Sequence, residues 1–294
     1  MAVRLIWTKF PENPVLPGVA GTWEAWTADP TVVYREGIYH LWYTGAGKKP
    51  WRIFYAESRD GIHWAKAQAP VNEEGHRATV VYCDGRWHMF LTIGGTGSDV
   101  HLQTSARPEG PFEDEGPVLK ADEPWEEGKL WCPDAIYDED ERVWKMWYSA
   151  GEVTAGAGWP EPKAIGYATS PDGRHWTKCK ANPIVVPRGD SSWLGRAVCT
   201  LMVVKHEGRY FGFTNCVGAD GHSRIGMTTS SDGLRWDLGP DSLILDLGGP
   251  GKFDATHLFA PTAAYGHSGW MLWYNGKCDL AGSAVESIGG ARGR

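Results

Sequence analysis

Hydrophobic and polar positions alternate with period two through most of this chain. Ile38, His40 and Trp42 fall on one side of the pattern, and Tyr39, Leu41 and Tyr43 on the other. That alternation marks a strand whose two faces meet different surroundings. Comparable aromatic strands recur at Trp147-Tyr148, Phe213-Thr214 and Trp273-Tyr274, with a weaker one at Phe90-Leu91. Glu36-Gly37, Asp84-Gly85 and Glu207-Gly208 are tight-hairpin signals in front of three of them. Few stretches have a helical period, and none is long.

The strands belong to a repeat. Ser-x-Asp-Gly-x-x-Trp stands at Ser58–Trp64, Ser170–Trp176 and Ser230–Trp236, each behind one of the aromatic strands. A degenerate copy runs from Ser105 to Phe112 with one extra residue. The fifth copy has Trp273-Tyr274 and a strand around Val285, then lacks its last segment. The N-terminus supplies it: Trp7-Thr8-Lys9 and Asn13-Pro14-Val15 match Trp176-Thr177-Lys178 and Asn182-Pro183-Ile184. A repeat of roughly fifty residues with four strands per copy predicts an all-β propeller. Five copies predict five four-stranded antiparallel blades in one domain over residues 1–294, the N-terminal strand completing the last blade. A closed ring leaves only short, protected strand edges.

Composition narrows the function classes. A net charge of −7 without a basic cluster argues against nucleic acid or an anionic membrane surface as partner. The six cysteines show no metal-ligand spacing, and no cofactor or metal motif is visible. Residues 1–7 are too short and too soon polar for a signal peptide, and no segment reads as a membrane span, so a cytoplasmic, reduced protein is expected. Trp is over-used, at 17 residues. Most belong to the repeat, but Trp26, Trp131, Trp159 and Trp193 fall in connections. Trp26 and Trp131 are candidate platforms for a sugar ring.

Register points to the site. In a blade, the innermost strand starts at the rim of the central cavity. Counting back eight residues from Gly37, Gly85 and Gly208 gives Asp29, Arg77 and Thr200. The same count from Arg142, which replaces the glycine in the third copy, gives Asp134, and alignment through Trp273-Tyr274 gives Ala260. Two carboxylates would then converge on one cavity with a guanidinium between them. The competing account is that each carboxylate caps a strand start or accepts backbone N–H groups. The chemistry suggested is cleavage of a glycosidic bond, where an inverting enzyme sets a base and an acid about 6.5–9.5 Å apart.

Ala28-Asp29-Pro30 and Trp131-Cys132-Pro133-Asp134 resemble the opening motifs of blades I and III in five-bladed propeller glycoside hydrolases of the family 43 type and its cousins, families 32, 68, 117 and 130. The resemblance implies that Asp29 is the general base and that Asp134 holds substrate and tunes the acid. It also implies a furanoside, arabinofuranoside first, and the compact loops favour exo action. Two departures stand out. Trp131 occupies the place of the family 32 acid, and Gly195-Arg196-Ala197-Val198-Cys199-Thr200 lacks the blade IV acid Glu of family 43. A substitute proton donor is expected in Glu152, with His257, His222 and Glu24 behind it. Arg77, Arg196 and Lys277 suit hydroxyl, carboxylate or phosphate binding. Phosphate would make the chain a family 130-like phosphorylase; a non-catalytic sugar-binding propeller is the other alternative. A sialidase does not fit, because its repeat carries an extra residue between Asp and Gly. The expected partner is an oligosaccharide or glycoside.

Overall fold

The computed structural model describes residues 5–94, 99–154, 160–279 and 285–294. The chain is all-β: three four-stranded antiparallel sheets, a two-stranded ribbon, and a nine-stranded sheet in which two further four-stranded units meet through a parallel bridge between Ser223 and His257, in the manner of a propeller. Unit I comprises Thr27–Arg35, Ile38–Gly45, Arg52–Ser58 and Ala65–Lys66. Unit II comprises His76–Cys83, Arg86–Thr92, Val100–Ser105 and Glu113–Leu119. Unit III has Asp134–Asp138, Val143–Ala150, Ala164–Ser170 and Thr177–Lys178. Unit IV has Met202–His206, Arg209–Val217, Ser223–Ser230 and Leu243–Leu245. Unit V has His257–Gly266, Gly269–Lys277 and Ser287–Gly293, and its fourth strand is the N-terminal Trp7–Lys9, with Trp7 opposite Gly293. The first strands pack side by side in unit order, and that of unit V lies against that of unit I.

The repeat explains how the units hold each other. In each Ser-x-Asp-Gly turn the serine hydroxyl accepts the glycine N–H, and the aspartate accepts the two N–H groups that follow, as at Ser58 and Asp60. The turn then exposes a carbonyl to its neighbour. Trp273 Nε1 of unit V donates to Gly61 O of unit I at 2.8 Å, and Trp147 of unit III to Gly233 O of unit IV at 2.7 Å. Trp42 of unit I donates to Pro108 O, inside the degenerate turn of unit II, at 2.9 Å. Phe90 and Phe213 have no N–H to give and instead meet an indole edge-on: Trp176 at 5.7 Å and Trp7 at 5.6 Å. Trp7 therefore does for unit V what Trp176 does for unit III. Asn13 repeats the match: it exchanges hydrogen bonds with the Gly290 backbone as Asn182 does with that of Tyr167.

A second repeated device went unread in the sequence. Lys66 and the Tyr43 hydroxyl both donate to Glu24, each at 2.7 Å. Lys178 and Tyr148 share Glu126 at 2.7 and 2.8 Å, and Lys9 and Tyr274 share Asp254 at 2.6 and 2.8 Å. Each set ties a fourth strand to the segment leading into the first strand of its own unit. Glu24 is thus a structural carboxylate, not a proton donor at the cavity.

Asp254 is fully buried, and Lys9 is its only ion-pair partner among the described residues. Lys9→Ala leaves a buried carboxylate without its counter-charge, expected to cost about 2–3 kcal/mol and lower Tm by roughly 5–10 °C. Removal of residues 1–9 should lower it further, because the Trp7–Phe213 contact goes too. Thermal melting followed by circular dichroism checks both; an unchanged Tm would contradict the closing role of this strand.

Candidate functional site

The pairing of first and second strands fixes the true equivalences. Thr31, Thr79, Asp134, Met202 and Thr262 stand opposite Trp42, Phe90, Trp147, Phe213 and Trp273. Two residues earlier come Asp29, Arg77, Cys132, Thr200 and Ala260. The position expected for Asp134 is therefore held by Cys132. The eight-residue count failed because the unit III hairpin encloses four residues between Asp138 and Val143, whereas Arg35 and Ile38 enclose two. Asp29, Arg77 and Ala260 adopt the left-handed conformation, with φ of 47°, 53° and 42°, each at a break in strand pairing. Such strained bulges cluster where a fold aims side chains at a site. Neighbouring units hold them: Arg77 N donates to Thr44 Oγ1 at 3.2 Å, and Ala260 N to Asn215 Oδ1 at 3.2 Å.

All five residues line a cavity of about 560 Å³ at the mouth of the axial channel. Three carboxyls share it: Asp29, Glu161 and Glu286. Glu161 comes from the short strand Pro160–Glu161, paired with Val153–Thr154 between the second and third strands of unit III. Glu286 directly precedes the third strand of unit V, and its backbone N–H is held by Ala25 O at 2.9 Å. Arg77 is the hub. Its guanidinium lies 3.7 Å from Glu161, donates to Cys132 Sγ at 3.0 Å and sits 5.0 Å over the Trp131 ring. Lys277 lies 3.5 Å from Glu286 and 3.4 Å from Asp279.

Burial decides the protonation of these acids. It raises Asp29 above the usual carboxylate range, against the opposing pull of Arg77 and a hydrogen bond from Thr44. It lifts Glu161 to about 7, with Arg77 lowering it and the charges of Asp29 and Glu286 adding to the rise. Glu286 is raised as well, Lys277 and Asn275 opposing. The cavity thus holds three acids that all hold their protons more tightly than a free carboxyl, each raised first by burial. Among the described residues no group of three or more His, Cys, Asp or Glu side chains is placed to hold a metal ion.

Of the residues picked from sequence, Asp29, Arg77, Thr200, Ala260, Trp26 and Lys277 line the cavity. The other candidates among the described residues do not. Asp134 lies one step deeper, at the narrow waist of the channel, where it accepts Val203 N–H at 2.7 Å and the Thr79 hydroxyl at 3.3 Å. Its burial raises it to about 8. Trp131 is fully buried behind Arg77 and offers no face to a sugar. Glu152 is half-exposed and pairs with Lys129 at 2.8 Å, outside the cavity wall. Arg196 spends its guanidinium on Thr154 O at 2.6 Å. His222 Nδ1 donates to Thr256 O at 2.9 Å. His257 is buried, accepts the Ser223 N–H, pairs with Asp279 and stacks behind Phe259, which faces the cavity in its place. Burial takes its pKa down to about 4. Trp193 packs against unit IV and donates to Pro240 O at 3.0 Å. Trp159 lies outside the described residues.

Glu161 and Glu286 were missed. Glu161 sits in an irregular connection with no counterpart in the repeat. Glu286 had a usable signal, since it occupies the place before a third strand that Trp51, also in the cavity wall, holds in unit I.

Comparison with known proteins adds the fold's relatives. No family model matches the chain. An uncharacterized protein of Mycobacterium tuberculosis, matched in two strains, is 33% identical over 123 residues. The match covers 37% of this chain, and the chain spans only 38% of that relative's length. A glycosyl hydrolase from Bacteroides ovatus superposes with a TM-score of 0.74 at 15% identity, covering 99% of this chain and 94% of that one. The α-L-arabinofuranosidase PaAbf62A of Podospora anserina, in complex with cellotriose, gives 0.71 at 13% identity over 99% and 97%. A structure from the GH130 family of mannoside phosphorylases, which contains glycoside hydrolases that target β-1,2 mannosidic linkages in Candida mannan, gives 0.72 at 14% over 99% and 94%. The chain shares the propeller-like fold of these enzymes.

The waist carboxyl yields a test on stability. Asp134 is raised from 3.8 to about 8, so the folded state holds its proton more tightly than the unfolded chain does. Its contribution is complete below pH 3.8 and is lost as pH rises toward about 8. Asp134→Asn keeps an acceptor for Val203 N–H and cannot ionise. Denaturant unfolding at pH 5.5 and 8.5 should show a smaller loss of stability in the variant than in the wild type; equal losses contradict the assignment.

Proposed function

We propose that the chain is a five-bladed propeller, closed by its N-terminal strand, that hydrolyses a terminal glycosidic bond with inversion. Asp29 is the general base and Glu161 the general acid. The observation that carries the proposal is the pair itself: two carboxyls on one cavity, Glu161 3.7 Å from the Arg77 guanidinium and raised to about 7, and Asp29 within the electrostatic reach of the same guanidinium. Ionised Asp29 takes a proton from water as the water oxygen bonds to the anomeric carbon. The glycosidic C–O bond breaks, and its electron pair leaves with the departing oxygen, which takes the Glu161 proton. Glu161 fills the role that the sequence left vacant in unit IV and that Glu152, paired with Lys129, cannot reach.

The remaining groups hold the sugar. Arg77 keeps Asp29 ionised more easily than burial alone allows, and Glu286, Lys277 and Asn275 offer acceptors and donors for ring hydroxyls. Trp26 supplies an aromatic wall in place of the buried Trp131. A cavity of about 560 Å³ with a narrow waist beneath it suits a terminal residue better than a mid-chain one. A furanoside, arabinofuranoside first, is the substrate to try.

Aryl furanosides and pyranosides, each assayed with and without inorganic phosphate, test the reading. Asp29→Asn is expected to abolish phosphate-independent release while the fold is kept. Glu161→Gln should cost about 10²–10⁴-fold on alkyl glycosides and much less on aryl glycosides, whose leaving group needs little protonation. Strict phosphate dependence would turn the enzyme into a phosphorylase, and full activity of Asp29→Asn would remove the base.

A further inference from the structure

The cavity is electrically out of keeping with the rest of the molecule. The chain carries a net charge of −7, yet its cavity wall gathers Lys48, Lys49, Arg77 and Lys277 around three acids whose ionisation burial opposes. Two of these cations are used internally: Arg77 by Glu161 and Cys132, and Lys277 by Glu286 and Asp279. The other two are not. Among the described residues no carboxylate lies within ion-pair distance of Lys48 or Lys49. Their ammonium groups rest on aromatic faces, Lys48 at 5.2 Å from the Trp23 ring and Lys49 at 5.2 Å from that of Trp51. Arg52 stacks on Trp23 as well, at 4.2 Å, but it is paired with Glu73 at 2.8 Å, so Lys48 and Lys49 are the two cations of this side left without a carboxylate partner.

The loop bearing these lysines is fixed in place. Ala46 N donates to Trp26 O at 3.0 Å, and Gly47 N to Trp23 O at 2.8 Å. Gly47 leaves no room for a side chain, since a Cβ there would stand 2.4 Å from Thr22 O and 2.7 Å from Ala25 Cβ. The loop is pressed onto the segment that leads to Asp29, so the backbone that carries the lysines is anchored beside that segment. Both lysines are exposed at the mouth and carry no carboxylate partner, so they can receive an anion there without breaking an existing ion pair.

We propose that the substrate itself carries an oxyanion, a carboxylate or a phosphoryl group, and that Lys48 and Lys49 receive it at the cavity mouth. The inference rests on the sugar-cleaving reading of the same cavity and names the class of sugar: an acidic one. Trp51, in the wall beside Lys49, and Trp26 supply apolar faces for its ring, while the lysines discriminate by charge. Lysine suits this role as a strongly hydrated point charge that accepts either oxyanion without bidentate geometry.

Binding, measured by calorimetry and by tryptophan fluorescence on the full chain, tests this independently of turnover. The probes are glucuronate, galacturonate and glucose 6-phosphate, each against its neutral parent sugar, with inorganic phosphate alone as a separate arm. At least one acidic sugar should bind about tenfold or more tightly than its parent, a difference expected to shrink as salt rises. The preference should vanish in the Lys48→Gln/Lys49→Gln double variant and return in Lys48→Arg/Lys49→Arg. Preference for the uronates assigns a carboxylate, and preference for glucose 6-phosphate a phosphoryl group; either supports the proposal. Equal binding of acidic and neutral sugars, a preference that survives the Gln variant, or tight binding of inorganic phosphate alone overturns it. Phosphate-independent cleavage of neutral glycosides without an acidic preference would sink this inference and leave the hydrolase reading standing.

Discussion

Everything at the axis follows from one constraint: each four-stranded unit has to cover the edge of the next. The cover is specific. A mid-strand tryptophan in one unit reaches the turn carbonyl of the following one, as Trp273 reaches Gly61 and Trp147 reaches Gly233. Where the strand offers phenylalanine, an indole of the next unit comes to it edge-on. These contacts set the angle between units, so the first strands arrive side by side with equivalent residues at equal depth. Side chains far apart in sequence are thereby brought to one rim. The strain at Asp29, Arg77 and Ala260 is tolerable because side chains of neighbouring units hold two of those three backbones in place.

The rim provides only five positions, and here they hold one acid, one guanidinium, a thiol, a hydroxyl and a methyl group. The other two carboxyls of the cavity, Glu161 and Glu286, come from connections instead. Their protonation is set by competition between burial and two cations. Arg77 is shared among Asp29, Glu161 and Cys132, and Lys277 between Glu286 and Asp279, so neither cation fully compensates any one acid. Burial wins at Glu161. Burial raises Asp29 and Glu286 too, each against the partial opposition of one of these cations.

The fold was legible because its information is repetitive. Three clean Ser-x-Asp-Gly-x-x-Trp copies fix the period, and the match of Trp7 and Asn13 to Trp176 and Asn182 extends to what those side chains touch. The Lys-carboxylate-Tyr sets escaped notice because their carboxylates, Glu24, Glu126 and Asp254, lie in segments of differing length and change residue type. At the site, register gave Asp29 and Arg77 and misplaced one residue. A hairpin two residues longer looked like a glycine replaced by Arg142, and the count slid from Cys132 to Asp134. Glu161 was beyond reach for a different reason, since no repeat specifies where an irregular connection folds back.

Asp134 and Glu161 have similar proton affinities in different surroundings. Both are buried, both keep their protons toward neutrality, and both face the axis. A displaced pKa alone would rank them together. Their surroundings do not. One oxygen of Asp134 accepts a backbone N–H from unit IV and the other a threonine hydroxyl from unit II, so the side chain joins three first strands at the waist. The competing account of a strand-start carboxylate, that it accepts backbone N–H groups, describes Asp134 well. Glu161 instead lines a cavity of about 560 Å³ together with Asp29, with the Arg77 guanidinium 3.7 Å away. Proton affinity marks both residues; open volume and a second acid within electrostatic reach distinguish Glu161 from Asp134.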